Sequence, residues 1–138
     1  HAVSRLARKP IDALATPCYN AAQPTRKETW MIYELRIYQA TPGKLAALNK
    51  RFETVTLKVW EKYGIRPVGF WTTLIGENSN ALYYILEWES LAEREQKWGA
   101  FAADPDWLKA RTETEKDGPL TVQITNYMLT PTSYSPMR

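Results

Sequence analysis

Between Met31 and Leu129 the sequence reads strand, helix, strand, strand, helix, strand, and no other feature constrains the fold as strongly. Each helix returns between strands, and right-handed crossovers then insert the third strand between the first two. The expected product is an α+β, ferredoxin-like βαββαβ unit with a four-stranded antiparallel sheet. Its first and third strands are central, both helices cover one face, and the other face is bare.

The element boundaries carry their own signals. Met31–Gln39 alternates with period two, setting Tyr33, Leu35 and Ile37 against Glu34, Arg36 and Tyr38. Thr41 reads as a helix N-cap with Pro42 at the first helical position. Leu45, Leu48, Phe52, Val55 and Val59 then form one apolar stripe, and Gly64 ends the helix. Val68–Ile75 reads as a strand, closed by Gly76, Asn78, Ser79 and Asn80 and answered by Ala81–Glu89. Along the latter, Leu82, Tyr84, Leu86 and Trp88 point one way and Tyr83, Ile85 and Glu87 the other. Ser90 and Glu93 form a capping box, Asp104 caps a second helical piece at Pro105, and Leu120–Leu129 is the last strand.

The helices are expected over the face of Leu35, Ile37, Leu82, Tyr84 and Leu86. The bare face then carries Glu34, Arg36, Tyr38, Tyr83, Ile85, Glu87 and Thr125, with Trp71 nearby. Apolar surface of this kind is uncommon on a monomer, and two copies packed face to face, a homodimer, would bury it. Charges enclosed this way must be paired or meet a polar ligand. Arg36 and Glu87 are placed to pair across adjacent strands. A structural ion pair and a ligand-lined cavity both remain open on these residues.

Charge and composition exclude several classes. The net charge of +3 resides in residues 1–30, where Arg5, Arg8, Lys9, Arg26 and Lys27 outweigh Asp12 and Glu28; residues 31–138 hold 13 basic and 13 acidic side chains. The folded part therefore lacks the basic excess of a nucleic-acid binder. His1 and Cys18 are the one histidine and the one cysteine. They leave no intrachain disulfide, no Cys/His zinc set, no proximal haem histidine and no imidazole-based nucleophile. The expectation is no metal and no cofactor, with Cys18 neither catalytic nor a ligand. No apolar run reaches the length of a membrane span.

Three regions follow: an irregular extension over 1–30, the folded unit over 31–130, and a tail over 131–138. Met31 stands directly ahead of the first strand and is read as the natural start, with a targeting role for the basic residues before it as the rival. The expected location is cytoplasmic.

Several motifs in order resemble the NIPSNAP family: Tyr33-Glu34-Leu35-Arg36-Ile37-Tyr38, Val68-Gly69-Phe70-Trp71, Leu86-Glu87-Trp88-Glu89-Ser90-Leu91-Ala92-Glu93-Arg94, and Trp98-x-x-Phe101-x-x-Asp104-Pro105-x-Trp107. The resemblance spans Met31 to Leu129. It implies that two ferredoxin-like sheets pair into a dimeric α/β barrel. It implies no reaction, since the family is linked to trafficking, mitochondrial and adaptor-type roles. Cofactor-free monooxygenases and isomerases of the wider superfamily bear on chemistry by analogy alone.

Two classes of function therefore compete. In the first, the barrel interior binds a small apolar or aromatic ligand carrying an anionic group, lined by Glu34, Arg36, Tyr38, Trp71, Tyr83 and Glu87. Arg36 would hold the anion, Glu34 or Glu87 would act as base, and Tyr38 or Tyr83 as donor. In the second, the dimer is a non-enzymatic interaction module. Trp60, Trp98 and Trp107 are read as helix-to-sheet core, with partner anchoring as the alternative. Asp104 is read as a cap, and it and Asp106 are given no catalytic role.

Overall fold

The computed structural model describes residues 30–138. His1, Cys18 and the expected extension over 1–30, apart from Trp30, lie outside the described residues. The chain runs β1 (Ile32–Ala40), α1 (Leu45–Arg51), a π-helical turn (Phe52–Thr56), α2 (Leu57–Tyr63), β2 (Arg66–Thr72), β3 (Ala81–Trp88), α3 (Leu91–Ala102), α4 (Pro105–Thr114) and β4 (Thr121–Leu129). The strands pair antiparallel in the order β2-β3-β1-β4, so β1 and β3 are central as the element order requires.

The expected closure into a dimeric α/β barrel is corrected. The four strands form one open sheet that ends at β2 on one side and β4 on the other. A small closed barrel needs about eight strands hydrogen-bonded around a ring, and this sheet keeps two free edges.

A second correction concerns the faces of the sheet. The β1–β3 register sets Glu34 opposite Leu86, Arg36 opposite Tyr84 and Tyr38 opposite Leu82. Residues directly opposite each other share a face, so Glu34, Arg36 and Tyr38 lie beneath the helices with the β3 core residues. All three are buried. Tyr33, Leu35 and Ile37 take the uncovered face, opposite Glu87, Ile85 and Tyr83. β1 is thus inverted relative to the expectation, whereas β3 follows it.

The core forms where α1, the π-helical turn and α2 press Leu48, Phe52, Val59 and Trp60 onto Tyr38, Leu82, Tyr84 and Leu86. Burying each large apolar side chain contributes about 1.5–3 kcal/mol. The helix starts later than the sequence suggests. Thr41 does not cap it; its hydroxyl donates to the Pro119 carbonyl at 2.6 Å, and α1 begins at Leu45 without a side-chain cap.

Leu48, Phe52, Thr56 and Trp60 recur every four residues, and each such step overshoots an α-helical turn by about 40°. The wider turn absorbs that drift: Leu57 N–H bonds the Phe52 carbonyl five residues back. Gly64 closes α2 with φ of 66°, in the left-handed conformation that glycine adopts at no steric cost.

β2 stops at Thr72, so Leu74 and Ile75 fall in a loop and are exposed. The Ser90 hydroxyl accepts the Glu93 N–H at 3.1 Å, and Glu93 returns a bond to the Glu89 N–H rather than to Ser90. Asp104 caps α4 as expected, accepting from Asp106 N–H at 2.9 Å and Trp107 N–H at 3.0 Å. Among the described residues no helix is long and apolar enough to cross a membrane.

Candidate functional site

Glu34 and Arg36 are the polar centre of the space between sheet and helices. Arg36 Nη1 donates to Glu34 Oε1 at 2.8 Å, Nε to the Tyr84 hydroxyl at 2.8 Å, and Nη2 to the Tyr38 hydroxyl at 3.3 Å. Tyr84 in turn donates to Tyr38 at 2.9 Å. The Arg36 guanidinium also lies 4.4 Å from the centre of the Trp98 ring, within cation–π range. Burial disfavours its charge, but the oxygens of Tyr84, Tyr38 and Glu34 hold its pKa above the usual arginine value.

Glu34 is fully buried and collects donors from three further elements. Arg94 on α3 forks onto it at 2.8 and 2.9 Å, Trp88 Nε1 donates at 3.1 Å from β3, and Asn126 Nδ2 at 3.2 Å from β4. Burial alone would raise its pKa; the bonds from Arg94, Arg36 and Asn126 bring it down to about 2. A carboxylate held so low and so fully engaged is a weak base.

Arg36 forms one wall of a cavity of about 220 Å³. Tyr38, Thr121 and Ile124 line it from the sheet beside Arg36. Arg51, Phe52, Thr56 and Trp60 descend from the first helical segment, Trp98 and Phe101 from α3, and Trp107, Arg111 and Glu115 from α4 and its end. The π-helical turn matters here. Arg51 and Thr56 are five residues apart, and the i→i+5 turn brings both onto the cavity side. Exposed Ile124, Ala102 and Arg111 mark a mouth between β4 and the α3–α4 junction.

Arg51 is 5% exposed. Its Nη1 lies 3.3 Å from both Thr114 Oγ1 and Glu115 Oε1, and its guanidinium sits 5.0 Å from the Trp107 ring centre. Trp60 packs its ring among Phe52, Tyr84, Trp98 and Phe101, with centroids 5.5–6.0 Å apart. The cavity lining is therefore aromatic on most sides and carries Arg36, Arg51 and Arg111 against one carboxylate, Glu115. It offers hydrogen-bond donors and positive charge.

The six residues singled out from the sequence divide between two faces. Glu34, Arg36 and Tyr38 meet under the helices. Trp71, Tyr83 and Glu87 lie on the uncovered face, where Trp71 is opposite Tyr83. The expected Arg36–Glu87 pair does not form; Glu87 accepts from Arg66 Nε at 3.3 Å, and Arg36 takes Glu34. Trp60 is core, and Trp98 and Trp107 pack against it, as the core reading expects.

Asp104 also receives the Tyr63 hydroxyl at 2.6 Å and Lys62 Nζ at 2.7 Å, and Lys62 first among its partners holds its pKa below the usual carboxylate range. Sequence reasoning passes over Arg51, Arg94 and Asn126. For Arg51 the signal is the four-residue recurrence in the first helix, which puts it beside the buried Phe52; Arg94 shows only as part of a family motif, and nothing local marks Asn126.

The uncovered face is ordered in rows across the sheet. Trp71, Tyr83, Ile37 and Thr125 form one; Gly69, Ile85, Leu35 and Tyr127 the next; Arg66, Glu87, Tyr33 and Leu129 the third. The Trp71 ring lies over Gly69, where a Cβ would come within 2.7 Å of it. Trp71, Tyr127 and Leu129 are exposed.

Comparison with known proteins places this architecture. A NIPSNAP family protein of Agrobacterium tumefaciens superposes with a TM-score of 0.70 at 26% identity, over 80% of this chain and 96% of its own. A second one from the same organism gives 0.70 at 27%, over 78% and 99%. A NIPSNAP-like domain protein of Burkholderia xenovorans gives 0.68 at 28%, over 77% and 89%. No curated protein matches the chain. The NIPSNAP family model matches residues 33–136, a span that takes in the chain from the second residue of β1 through β4 and every residue that lines the cavity. By fold, by sequence and by extent, the chain belongs to the NIPSNAP family.

Proposed function

We propose that this protein binds a small, flat, apolar or aromatic ligand with an anionic group, seated between the sheet and the helices. The observation that carries the reading is the cavity of about 220 Å³ bounded by Phe52, Trp98 and Trp107 together with Arg36 and Arg51. An apolar cavity of about 150 Å³ takes benzene, so this one suits a compound of one or two rings. Aromatic walls supply contact area, and a few placed polar groups orient the ligand. Arg36 keeps its place in the reading, and Tyr38 and Trp98 flank it; Trp71, Tyr83 and Glu87 belong to the other face.

The uncovered face supports a second element of the proposal, a homodimer. Its rows of Trp71, Tyr83, Ile37, Ile85, Leu35, Tyr127 and Leu129 form an apolar surface that a second copy of the chain would cover by two-fold symmetry.

A thermal-shift titration with naphthalene-sized compounds tests the ligand reading. Ligands that bind the folded state raise the melting temperature with concentration. The wild type should respond, and Ala102→Trp, which fills the cavity mouth, should not. An unresponsive wild type, or an equal response of the two proteins, counts against the cavity as the site.

A further inference from the structure

Glu115 stands between two arginines at the cavity wall. Its Oε1 lies 3.3 Å from Arg51 Nη1, and its Oε2 accepts from Arg111 Nε at 3.3 Å. All three residues line the cavity. Their exposure rises in order: the Arg51 side chain is 5% exposed, that of Glu115 21% and that of Arg111 60%. A carboxylate thus already occupies this wall, bridging a cation in the interior to a cation at the mouth. Two guanidinium groups against one carboxylate leave a positive charge over.

The three lining arginines differ in what they have left to give. Three of the five N–H groups of Arg36 are donated to Glu34, Tyr84 and Tyr38, so Arg36 is largely committed to the fold. Arg51 is buried and engages Thr114 and Glu115 through Nη1. Arg111, among the described residues, is engaged through Nε alone. The N–H groups of both its Nη atoms are left over, on the one lining arginine that solvent reaches freely. Resting on the ligand reading above, we infer that Arg111 is the anion-recognising residue of the cavity. Its ligand is a small aromatic carboxylate seated ring inward with the acid group at the mouth, and Glu115 is a built-in competitor for the same guanidinium. Arginine binds a carboxylate best through two parallel N–H bonds, and Glu115 meets Arg111 through one long bond. An incoming acid that takes both therefore has the advantage.

Isothermal titration of the purified chain with 1-naphthoate and with 1-methylnaphthalene tests this. The wild type should bind the carboxylate about fivefold tighter or more, the scale of an ion pair at a partly exposed site. Arg111→Met should lose most of that preference and still bind 1-methylnaphthalene. Glu115→Gln, which removes the competing charge, should bind 1-naphthoate more tightly than the wild type. Lys109→Met removes an exposed charge of α4 that does not line the cavity, and should leave the preference intact. If the wild type binds both compounds equally, or Arg111→Met keeps the preference, or Lys109→Met loses as much of it, Arg111 is not the recognition residue, although the cavity still is the site. A Glu115→Gln variant no tighter than the wild type would remove Glu115 as competitor. If neither compound binds the wild type, the cavity reading fails and this inference fails with it. Should Glu115→Gln not fold, Arg111→Met and Lys109→Met decide by the same comparison.

Discussion

Glu34 and Arg36 stand two residues apart on one face of β1, and their side chains meet at 2.8 Å beneath the helices. The pair is unequal. Glu34 also holds Arg94, Trp88 and Asn126, whereas Arg36 without Glu34 still has the hydroxyls of Tyr84 and Tyr38. Glu34→Ala removes the shared acceptor of Arg36, Arg94, Trp88 and Asn126 and should cost about 3–5 kcal/mol. Arg36→Met leaves Glu34 with its other donors and Tyr84 bonded to Tyr38, so it should cost clearly less. Urea unfolding of the two variants measures the difference; equal losses would show that Arg94 does not secure Glu34.

The same carboxylate predicts the acid limb of stability. The pKa of Glu34 falls from 4.5 to about 2 on folding. A lowered folded-state value gives stability that is present above about pH 4.5 and lost as pH drops toward 2. Glu93, also brought to about 2 against burial by Arg66 and Lys97, acts in the same direction. Unfolding midpoints between pH 7 and pH 2.5 should fall steeply in the wild type and more gently in Glu34→Gln. Parallel curves would assign the acid limb to other groups.

Asp104 should prove structural. Asp104→Ala removes the cap of α4 and the partner of Tyr63 and Lys62, at a cost of about 1–2 kcal/mol for the cap alone. Binding of 1-naphthoate at a temperature where the variant is folded should persist. Loss of binding in a folded variant would show that the α3–α4 junction does more than hold α4.

The order of elements is legible in the sequence because each boundary has local chemistry: Gly64 must reach a positive φ, Asp104–Pro105 restarts a helix, and Ser90 accepts the Glu93 N–H. The phase of β1 is not legible. Both of its faces carry apolar or aromatic residues, and hydrophobicity alone ranks Leu35 and Ile37 above Glu34 and Arg36 as core. What reverses the ranking is long-range: Arg94, Tyr84 and Asn126 converge on Glu34 and Arg36 only once α3, β3 and β4 are in place. The cavity is hidden for a related reason, since Arg51 faces inward through the π-helical turn, and the four-residue recurrence of Leu48, Phe52, Thr56 and Trp60 that accompanies the turn is easily read as an ordinary apolar stripe.

The proposed dimer relocates with β1. Leu35→Lys and Tyr127→Lys lie on the uncovered face, opposite each other in the β1–β4 register, on the side of the sheet away from the Glu34 and Arg36 side chains. Light scattering should give twice the chain mass for the wild type and the chain mass for the double variant. A monomeric wild type at micromolar concentration would remove the second copy from the account.

The cavity beneath the helices is tested most directly by the indole N–H signals in a ¹H–¹⁵N spectrum during titration with 1-naphthoate. Trp60 and Trp98 line the cavity, and Trp71 lies on the opposite face of the sheet. The account predicts that the Trp60 and Trp98 signals move with ligand while Trp71 stays fixed. Movement of Trp71 with Trp60 and Trp98 unchanged would place the ligand on the uncovered face and contradict it.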